Sequence, residues 1–545
     1  MNIHPIRPLH HASRRSIPIA SIASLLLIFA TTSLSASPPT GPGVVKTSAG
    51  SLSGVATSDG AVTSFKGIPY ATPPVGNLRW RAPRPLKPWK GVLKAGHFGA
   101  SCIQGPNSEF LPWTKEFMYV TPVSEDCLFL NVWTPQPTAS AGLPVLVFIH
   151  GGAFTSGSGD VPVYDGEALA RTGMVLVTIN YRVGILGFLA HPALTAEPDQ
   201  SSFPVHHSSG NYGLLDQIAA LQWVRQNIRA FGGDPTHIAI AGQSAGAMSV
   251  ADLLASPLAR GLFSAAIADS GIGGRGVPMQ TLAEAEKAGE AFATEKKTAS
   301  IADLRALPAD DFAKSPAMRF APIVDGFVLP DNPMTLTTQR NTDNDVPVIT
   351  GFQANDAALG GNRTTTADQF QGHARQVYGP MADEFLKLYP AGDDDEAKQS
   401  GISAGRDRLR AGLYLWASRR VSTHTSPVFA YYFDRAIPWP AHPEFGAFHS
   451  GELPYAFGNL DKMDRPWEPI DHTVSKMMMT YWKNMAARGD PNGPSVPRWF
   501  PTDPSTPAIM RLGAVCEPMP PAFSAKMDFW RRYFDSEQSK TAGPF

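Results

Sequence analysis

The sequence has little cysteine, little charge and almost no long hydrophobic stretch. Only 3 of its 545 residues are Cys and 17% are charged, against roughly 25% charged residues in an average domain. Lys and Arg number 46 while Asp and Glu number 47, so a surplus of positive charge that would bind nucleic acid is absent. The mean hydropathy of −0.12 and the single long apolar run, near the N-terminus, exclude a membrane protein with several spans.

Residues 1–37 have the composition of a targeting segment. Three Arg and no acid are followed by an apolar stretch over 17–30 and by small residues over 31–37, which is the order of a signal peptide. An uncleaved membrane anchor is the alternative, but the apolar stretch is short for a span. The pair Arg14 and Arg15 also permits a twin-arginine signal. We expect cleavage near residue 37, a secreted or periplasmic protein, and no stable membrane span in the mature chain.

Two of the three cysteines are close enough in sequence to close a loop. In an exported protein we expect Cys102 and Cys127 to form a disulfide. Cys516 then remains as a free, buried thiol with no Cys/His motif around it.

Short apolar runs that end in Gly, Asn or Asp recur along the chain. They are typical of buried parallel strands and lie at 145–149, 175–179, 237–240, 346–350 and 428–433. Between the second and third, apolar residues at helical spacing predict an amphipathic helix over 214–230. This alternation predicts an α/β architecture, and without an internal linker we expect one domain over residues 38–545. A low-charge, turn-rich section over 271–321 and an acidic patch over 393–396 are interpreted as insertions or surface segments.

The pattern Gly-X-Ser-X-Gly occurs twice. It is the nucleophile elbow of many hydrolases, a strained turn that lifts a serine hydroxyl above a sheet. Ser244 follows the apolar residues 238–241 and precedes a helix-like segment, as the elbow requires. Ser403 is preceded by acidic residues where a strand is needed. We therefore take Ser244 as the candidate nucleophile and Ser403 as a chance match.

The sequence around Ser244 belongs to a longer likeness. Residues 231–246 resemble the active-site signature of the type-B carboxylesterase and cholinesterase family of α/β-hydrolases. Residues 125–132 resemble the second signature of that family, with Phe129 where Tyr is usual. The likeness covers nearly the whole mature chain, and its other segments are FKGIPYA from Phe65, NYRVGILGF from Asn180, GNYGLLDQ from Gly210 and YWKNMAARGDPNG from Tyr481. It implies an α/β-hydrolase fold, with a large, mostly parallel sheet flanked by helices and long loops walling an active-site gorge.

In this fold the catalytic residues follow the chain order Ser, Asp or Glu, then His. Of the five histidines after Ser244, His449 stands in GAFHSGELPY, which resembles the catalytic-histidine segment of the family. Many carboxylates precede it. Asp356 follows the strand predicted at 346–350 in a segment that resembles the one carrying the catalytic acid, whereas Asp325 is interpreted as a structural turn residue.

The resemblance also implies an oxyanion hole. His150-Gly-Gly-Ala resembles the HGGG-type loop and assigns the N–H groups of Gly152 and Ala153, together with that of Ala245 beside the nucleophile. Ala153 replaces the third Gly of that loop.

Two further positions bear on the site. Gln243 stands where cholinesterases have Glu, so a relay of carboxylates is not assumed. Ser270 resembles a buried serine that supports the acid, although a simple turn explains it as well.

One loop bears on the substrate preference. The loop between the two paired cysteines carries Phe110 and Trp113, and its position in the family places it at the rim of the gorge. Together with Phe154, these side chains are candidates for an apolar substrate pocket. The alternative is that the aromatic residues pin the loop to the core.

The resemblance implies a serine carboxylesterase (EC 3.1.1.-) that hydrolyses a small-molecule ester through an acyl-enzyme, with no metal or organic cofactor and no nucleic-acid partner. One alternative is a specialised hydrolase of a bulky ester such as a toxin, polyester or lactone. Another is a non-catalytic family member that acts in adhesion or scaffolding. The sequence does not predict the oligomeric state.

Overall fold

The computed structural model describes residues 43–198, 203–204, 206–273, 279–313, 320–338, 344–356 and 366–536. These residues belong to one compact unit, and the predicted signal peptide lies outside them. The strands, in chain order, are β1 (Val44–Lys46), β2 (Ser51–Ser53), β3 (Val55–Ala56), β4 (Thr63–Pro69), β5 (Val92–Lys94), β6 (Ser101–Cys102), β7 (Val123–Ser124), β8 (Phe129–Thr134), β9 (Leu143–Ile149), β10 (Val175–Ile179), β11 (Gly233–Gln243), β12 (Ala265–Asp269), β13 (Val348–Gln353), β14 (Val428–Phe433), β15 (Ile509–Leu512) and β16 (Glu517–Met519).

Eleven strands form the central sheet, in the order β16-β15-β14-β13-β12-β11-β9-β10-β8-β4-β3. The seven strands from β15 to β10 pair in parallel, while β8, β4, β3 and β16 pair antiparallel at the two edges. The predicted, mostly parallel sheet is therefore confirmed. Strands β10, β12, β13 and β14 are buried at every residue, as expected of strands covered on both faces.

Helices flank this sheet. In the described ranges they are α1 (Glu167–Arg171), α2 (Gly184–Phe188), α3 (Pro192–Thr195), α4 (Tyr212–Asn227), α5 (Ala245–Ala255), α6 (Leu282–Glu295), α7 (Ile301–Ala306), α8 (Asp310–Ala313), α9 (Pro333–Leu336), α10 (Ala367–Tyr378), α11 (Ala382–Leu388), α12 (Asp394–Thr423), α13 (Leu453–Phe457), α14 (Pro469–Arg488) and α15 (Ser524–Asp535). Two large apolar clusters pack between sheet and helices.

Some predicted boundaries shift. The helix expected over 214–230 is α4, which ends at Asn227 and continues as one 3-10 turn over Ile228–Phe231. The strand expected over 346–350 is β13, which begins and ends later. The section over 271–321 is more regular than predicted, because it contains α6, α7 and α8. The acidic patch opens α12: the side chain of Asp393 accepts a hydrogen bond from the Glu396 N–H, and acids at a helix N-terminus favour its dipole.

The predicted disulfide is confirmed. Cys102 and Cys127 are bonded, and Cys516 is a free, partly buried thiol. The loop closed by the disulfide is also fixed to the body of the protein, because the carboxylate of Asp160 accepts hydrogen bonds from the N–H groups of Val120 and Thr121.

Among the described residues, none of the helices has both the length and the apolar character needed to cross a membrane.

Candidate active site

Ser244 stands at the sharp turn between β11 and α5. Its backbone has φ 57° and ψ −124°, a left-handed conformation that a non-glycine residue adopts only under strain. Its N–H donates to the carbonyl of Asp269 at 2.8 Å. The two flanking glycines are required by close packing, because a Cβ at Gly242 would clash with the carbonyl of Gly246, and one at Gly246 with that of Ile149. Strand, turn and helix thus form the elbow that the motif predicts.

His449 and Asp356 are in direct contact. The Nδ1 atom of the imidazole and the Oδ1 atom of the carboxylate form a short hydrogen-bonded pair. The backbone brings their loops together, because the N–H of Asn355 donates to the carbonyl of Ala447 at 2.9 Å. Both side chains are buried. The structure therefore unites a histidine and an acid that are 93 residues apart.

Ser270 lies beside Asp356, where the resemblance places a buried serine. Its hydroxyl lies 2.5 Å from Asp356 Oδ2, and the same oxygen accepts from the N–H of Gln353 at 3.2 Å. Ser270 Oγ also contacts the side-chain carbonyl of Gln353. With both oxygens of Asp356 engaged, its carboxylate has a fixed orientation toward the imidazole.

Two further buried carboxyls lie behind this pair. Burial raises the pKa of Asp269 above its usual range, and the negative charge of Asp356 raises this pKa further. The hydroxyl of Tyr431, which donates to the Asp269 carboxylate at 2.6 Å, partly offsets the increase. Burial, followed by the charges of Asp269 and Asp356, likewise raises the pKa of Glu452 well above its usual range. The raised pKa values make both carboxyls easier to protonate than ordinary carboxyls, which limits repulsion beside Asp356.

The loop after β9 runs beside Ser244, because a Cβ at Gly151 would stand 3.1 Å from Ser244 Cβ. Gly152 and Ala153 both have positive φ, 109° and 55°. In the described part of the chain, the N–H groups of Gly152, Ala153 and Ala245 donate to no protein acceptor. A Cβ at Gly152 would clash with the carbonyl of Ser156, so glycine is needed there, whereas Ala153 tolerates its side chain. Three N–H groups remain available to an anionic oxygen, as the oxyanion prediction requires.

His150 anchors this loop as a neutral residue. Burial lowers the pKa of His150 to about 4, although its hydrogen bond to the carbonyl of Gly151 acts in the opposite direction. Its ring stacks on Tyr181 with centroids 4.3 Å apart, and the Tyr181 hydroxyl donates to the His150 carbonyl at 3.0 Å.

The second nitrogen of the catalytic candidate His449 has an unexpected neighbour. The amide Nε2 of Gln243 lies 3.1 Å from His449 Nε2. Ser244 Oγ has no hydrogen bond to any described residue. Gln243 departs from the family pattern in sequence, but this contact, which joins positions 206 residues apart, was not predicted.

The three aromatic residues proposed for the pocket have different environments. Trp113 is half-buried and contacts the site, with its ring edge-to-face against His449 at a centroid distance of 6.3 Å. Phe110 packs on Trp113 at 4.9 Å but is 62% exposed. Phe154 is buried and packs edge-to-face on Phe188 at 5.4 Å. Of the three, Trp113 is in direct ring contact with the imidazole.

Ser403 and Asp325, which were not assigned a catalytic role from the sequence, lie outside the site. Ser403 is inside helix α12 and lies 3.3 Å from Lys526 Nζ. Asp325 closes a turn, since its carboxylate accepts from the N–H groups of Phe327 and Leu329. The described ranges contain no group of three or more His, Cys, Asp or Glu side chains arranged to hold a metal ion.

Comparison with known proteins identifies the family. The profile of the Carboxylesterase family matches residues 41–530. The chain is 35% identical over 474 residues to the fumonisin B1 esterase of Sphingopyxis macrogoltabida, covering 83% of each chain. It is also 35% identical over 482 residues to the para-nitrobenzyl esterase of Bacillus subtilis (strain 168), covering 83% of this chain and 91% of that protein.

A solved structure of a PNB esterase superposes with a TM-score of 0.73 at 33% identity, covering 89% of this chain and 99% of the other. With the acetylcholinesterase of Bungarus fasciatus the identity is 31% over 506 residues, covering 83% of this chain and 79% of that protein. The fold is thus that of the α/β-hydrolases, and the protein is a member of the Carboxylesterase family, a carboxylic ester hydrolase.

Proposed function

We propose that Ser244, His449 and Asp356 are the catalytic triad of this esterase. Ser244 Oγ attacks the ester carbonyl carbon while His449 Nε2 accepts the hydroxyl proton. The tetrahedral intermediate then collapses: the bond to the alkoxy oxygen breaks, and His449 returns the proton to the departing alcohol. Water repeats the sequence on the acyl-enzyme, which releases the carboxylic acid and regenerates Ser244. Asp356 accepts from the Nδ1–H group throughout and stabilises the imidazolium.

The N–H groups of Gly152, Ala153 and Ala245 stabilise the negative oxygen of each tetrahedral intermediate. Their support is that none of the three donates to the described protein. Ala245 directly follows Ser244, and a Cβ at Gly151, the residue before Gly152, would stand 3.1 Å from Ser244 Cβ. A preorganised donor of this kind contributes roughly 3 kcal/mol to lowering the barrier.

One observation carries the proposal: His449 contacts Asp356 beside a serine held on a strained strand-to-helix turn. The non-catalytic alternative is disfavoured because adhesion and scaffold members lack the triad, whereas all three residue types are present here.

The nucleophile is tested by kinetics on the purified protein. Ser244→Ala should lower kcat for p-nitrophenyl butyrate by at least about 10⁴-fold. Ser403→Ala, which alters the second match to the same motif, is the matched control and should retain full activity. Full activity in Ser244→Ala would reject the proposed nucleophile.

For the substrate, we infer a neutral carboxylic ester that contacts an apolar surface at Trp113. The alternative of a specialised hydrolase of a bulky ester has one specific support, the 35% identity to an esterase named for fumonisin B1. A series of p-nitrophenyl esters, compared with bulky natural esters, separates the two. Equal or higher kcat/KM on short acyl chains supports a general carboxylesterase and opposes specialisation.

We also infer that residues 1–37 direct export and that residues 38–545 form one hydrolase domain, secreted or periplasmic. The disulfide supports this, because such bonds persist in oxidising compartments. The mass of the protein recovered from the medium or periplasm tests it. A full-length chain retained in the cytoplasm would oppose export.

A further inference from the structure

The contact between Gln243 and His449 is not used by the mechanism above. Gln243 ends β11, immediately before Ser244, and its side chain is 2% exposed. Its Nε2 atom is 3.1 Å from His449 Nε2. Because the Nδ1–H group of the neutral imidazole is donated to Asp356, Nε2 carries the lone pair and must accept. The amide therefore donates to the nitrogen that is to receive the Ser244 proton.

The other end of the same amide faces the oxyanion loop. Gln243 Oε1 lies 3.3 Å from the point at which a Cβ of residue 151 would stand. The Gln243 carbonyl oxygen, at 2.7 Å, and Ser244 Cβ, at 3.1 Å, lie nearer to that point, so Gly151 leaves room chiefly for the elbow. The Gln243 amide lies between the base and the loop.

We propose that Gln243 is a positioning residue that donates to the Nε2 atom of His449 in the resting enzyme, and releases that atom when substrate brings Ser244 into hydrogen-bonding contact. The inference rests on the proposed role of His449 as the base. A hydrogen bond to the neutral form disfavours protonation. Esterase activity consequently persists to lower pH than it would with a carboxylate at position 243.

Among the described residues, four further ionisable groups are linked to the imidazole directly or through Asp356. Asp356 touches it. Asp269 and Glu452 interact electrostatically with Asp356, and Tyr431 donates to Asp269. All four are unchanged when position 243 is varied, so a difference between variants reports the side chain at 243.

The test is the pH dependence of kcat/KM, whose acid limb reports the free enzyme. Gln243→Glu places a carboxylate at Nε2, stabilises the imidazolium, and should raise the pKa of that limb by about 1 to 3. Gln243→Ala removes the donor and should raise it by less. The matched control is Gln217→Glu. Gln217 is also a buried amide, but it contacts Ser249, so this variant should leave the pKa of the acid limb unchanged.

A second readout does not depend on turnover. In protein labelled with ¹⁵N-histidine, the His449 signal, assigned with His449→Gln, should titrate at higher pH in Gln243→Glu than in the wild type. Superimposed titrations in all variants would overturn the role of Gln243 while leaving the triad intact. Full activity in His449→Gln would instead overturn the proposed function itself.

Discussion

The indole Nε1 of Trp113 lies 3.3 Å from Ser450 Oγ and donates to it. Trp113 belongs to the disulfide loop, and Ser450 directly follows His449. The same indole packs edge-to-face on Phe448 with centroids 6.3 Å apart. The loop that borders the site is thus joined to the histidine segment by both a polar and an aromatic contact.

Replacing this indole should affect the reaction through His449. An aromatic pair contributes about 0.5–1.5 kcal/mol, so we expect Trp113→Ala to lower kcat/KM for p-nitrophenyl butyrate by about 2- to 10-fold. Trp113→Phe retains a ring but loses the N–H group and should lose less. Wild-type kinetics in both variants would show that Trp113 does not position the site.

Removing the hydroxyl that supports the acid should slow the reaction more. Ser270 Oγ is 2.5 Å from Asp356 Oδ2, and a hydrogen bond to a charged group contributes about 1.5–3 kcal/mol. We expect Ser270→Ala to lower kcat/KM by about 10- to 100-fold. The control is Ser264→Ala, at the opposite end of β12, whose hydroxyl donates to a backbone carbonyl and whose loss should leave kcat/KM unchanged.

The disulfide should contribute to stability. Cys102 and Cys127 are 25 positions apart, and closing a loop of this length contributes about 2–4 kcal/mol to the free energy of unfolding. Urea unfolding of the double variant Cys102→Ser/Cys127→Ser measures this loss. The free thiol provides the control: Cys516→Ser should change the free energy by about 1 kcal/mol or less. Equal stability of the double variant and wild type would contradict the expectation.

Acid should destabilise the protein through His150. Its folded-state pKa is about 4, below the roughly 6.5 of an unfolded chain. As the pH falls between these values, the unfolded state takes up a proton that the folded state does not, so stability falls. From about pH 7 to about pH 5 this one group accounts for about 2 kcal/mol. His150→Asn should show a correspondingly flatter dependence in urea unfolding, and an identical slope would refute the assignment.

The elbow could be predicted because its determinants are local. Gly242, Ser244 and Gly246 lie within five consecutive residues, and the apolar strand before them distinguishes Ser244 from Ser403. Most of the parallel centre of the sheet could be predicted for the same reason, since β9, β10, β11 and β13 contain short β-branched runs. Strand β12 was missed because its sequence, Ala-Ala-Ile-Ala-Asp, has a single β-branched residue. The pairing of strands that are far apart in sequence could not be predicted. The antiparallel edge strands β3 and β16 are short and not fully buried, so their sequences contain no clear signal.

The missed features of the site depend on side-chain direction. Gln243 was identified as a departure from the family pattern, yet only the fold reveals that its amide meets His449. Glu452 lies in the quoted histidine segment, but its burial against Asp269 and Asp356 depends on strands far apart in sequence. Helix α6 was missed because its start is set by one local device, a capping box between Thr281 and Glu284, inside a section whose composition suggests turns.

Covalent labelling tests the proposed triad most directly. The purified wild-type protein is treated with a fluorophosphonate, which reacts with activated serine hydroxyls, and the adduct is located by peptide mass. We predict one adduct per chain, on the peptide that contains Ser244, together with complete loss of esterase activity and no label in His449→Gln. Inactivation with the adduct on another residue, or full activity after complete labelling of Ser244, would contradict the proposed triad.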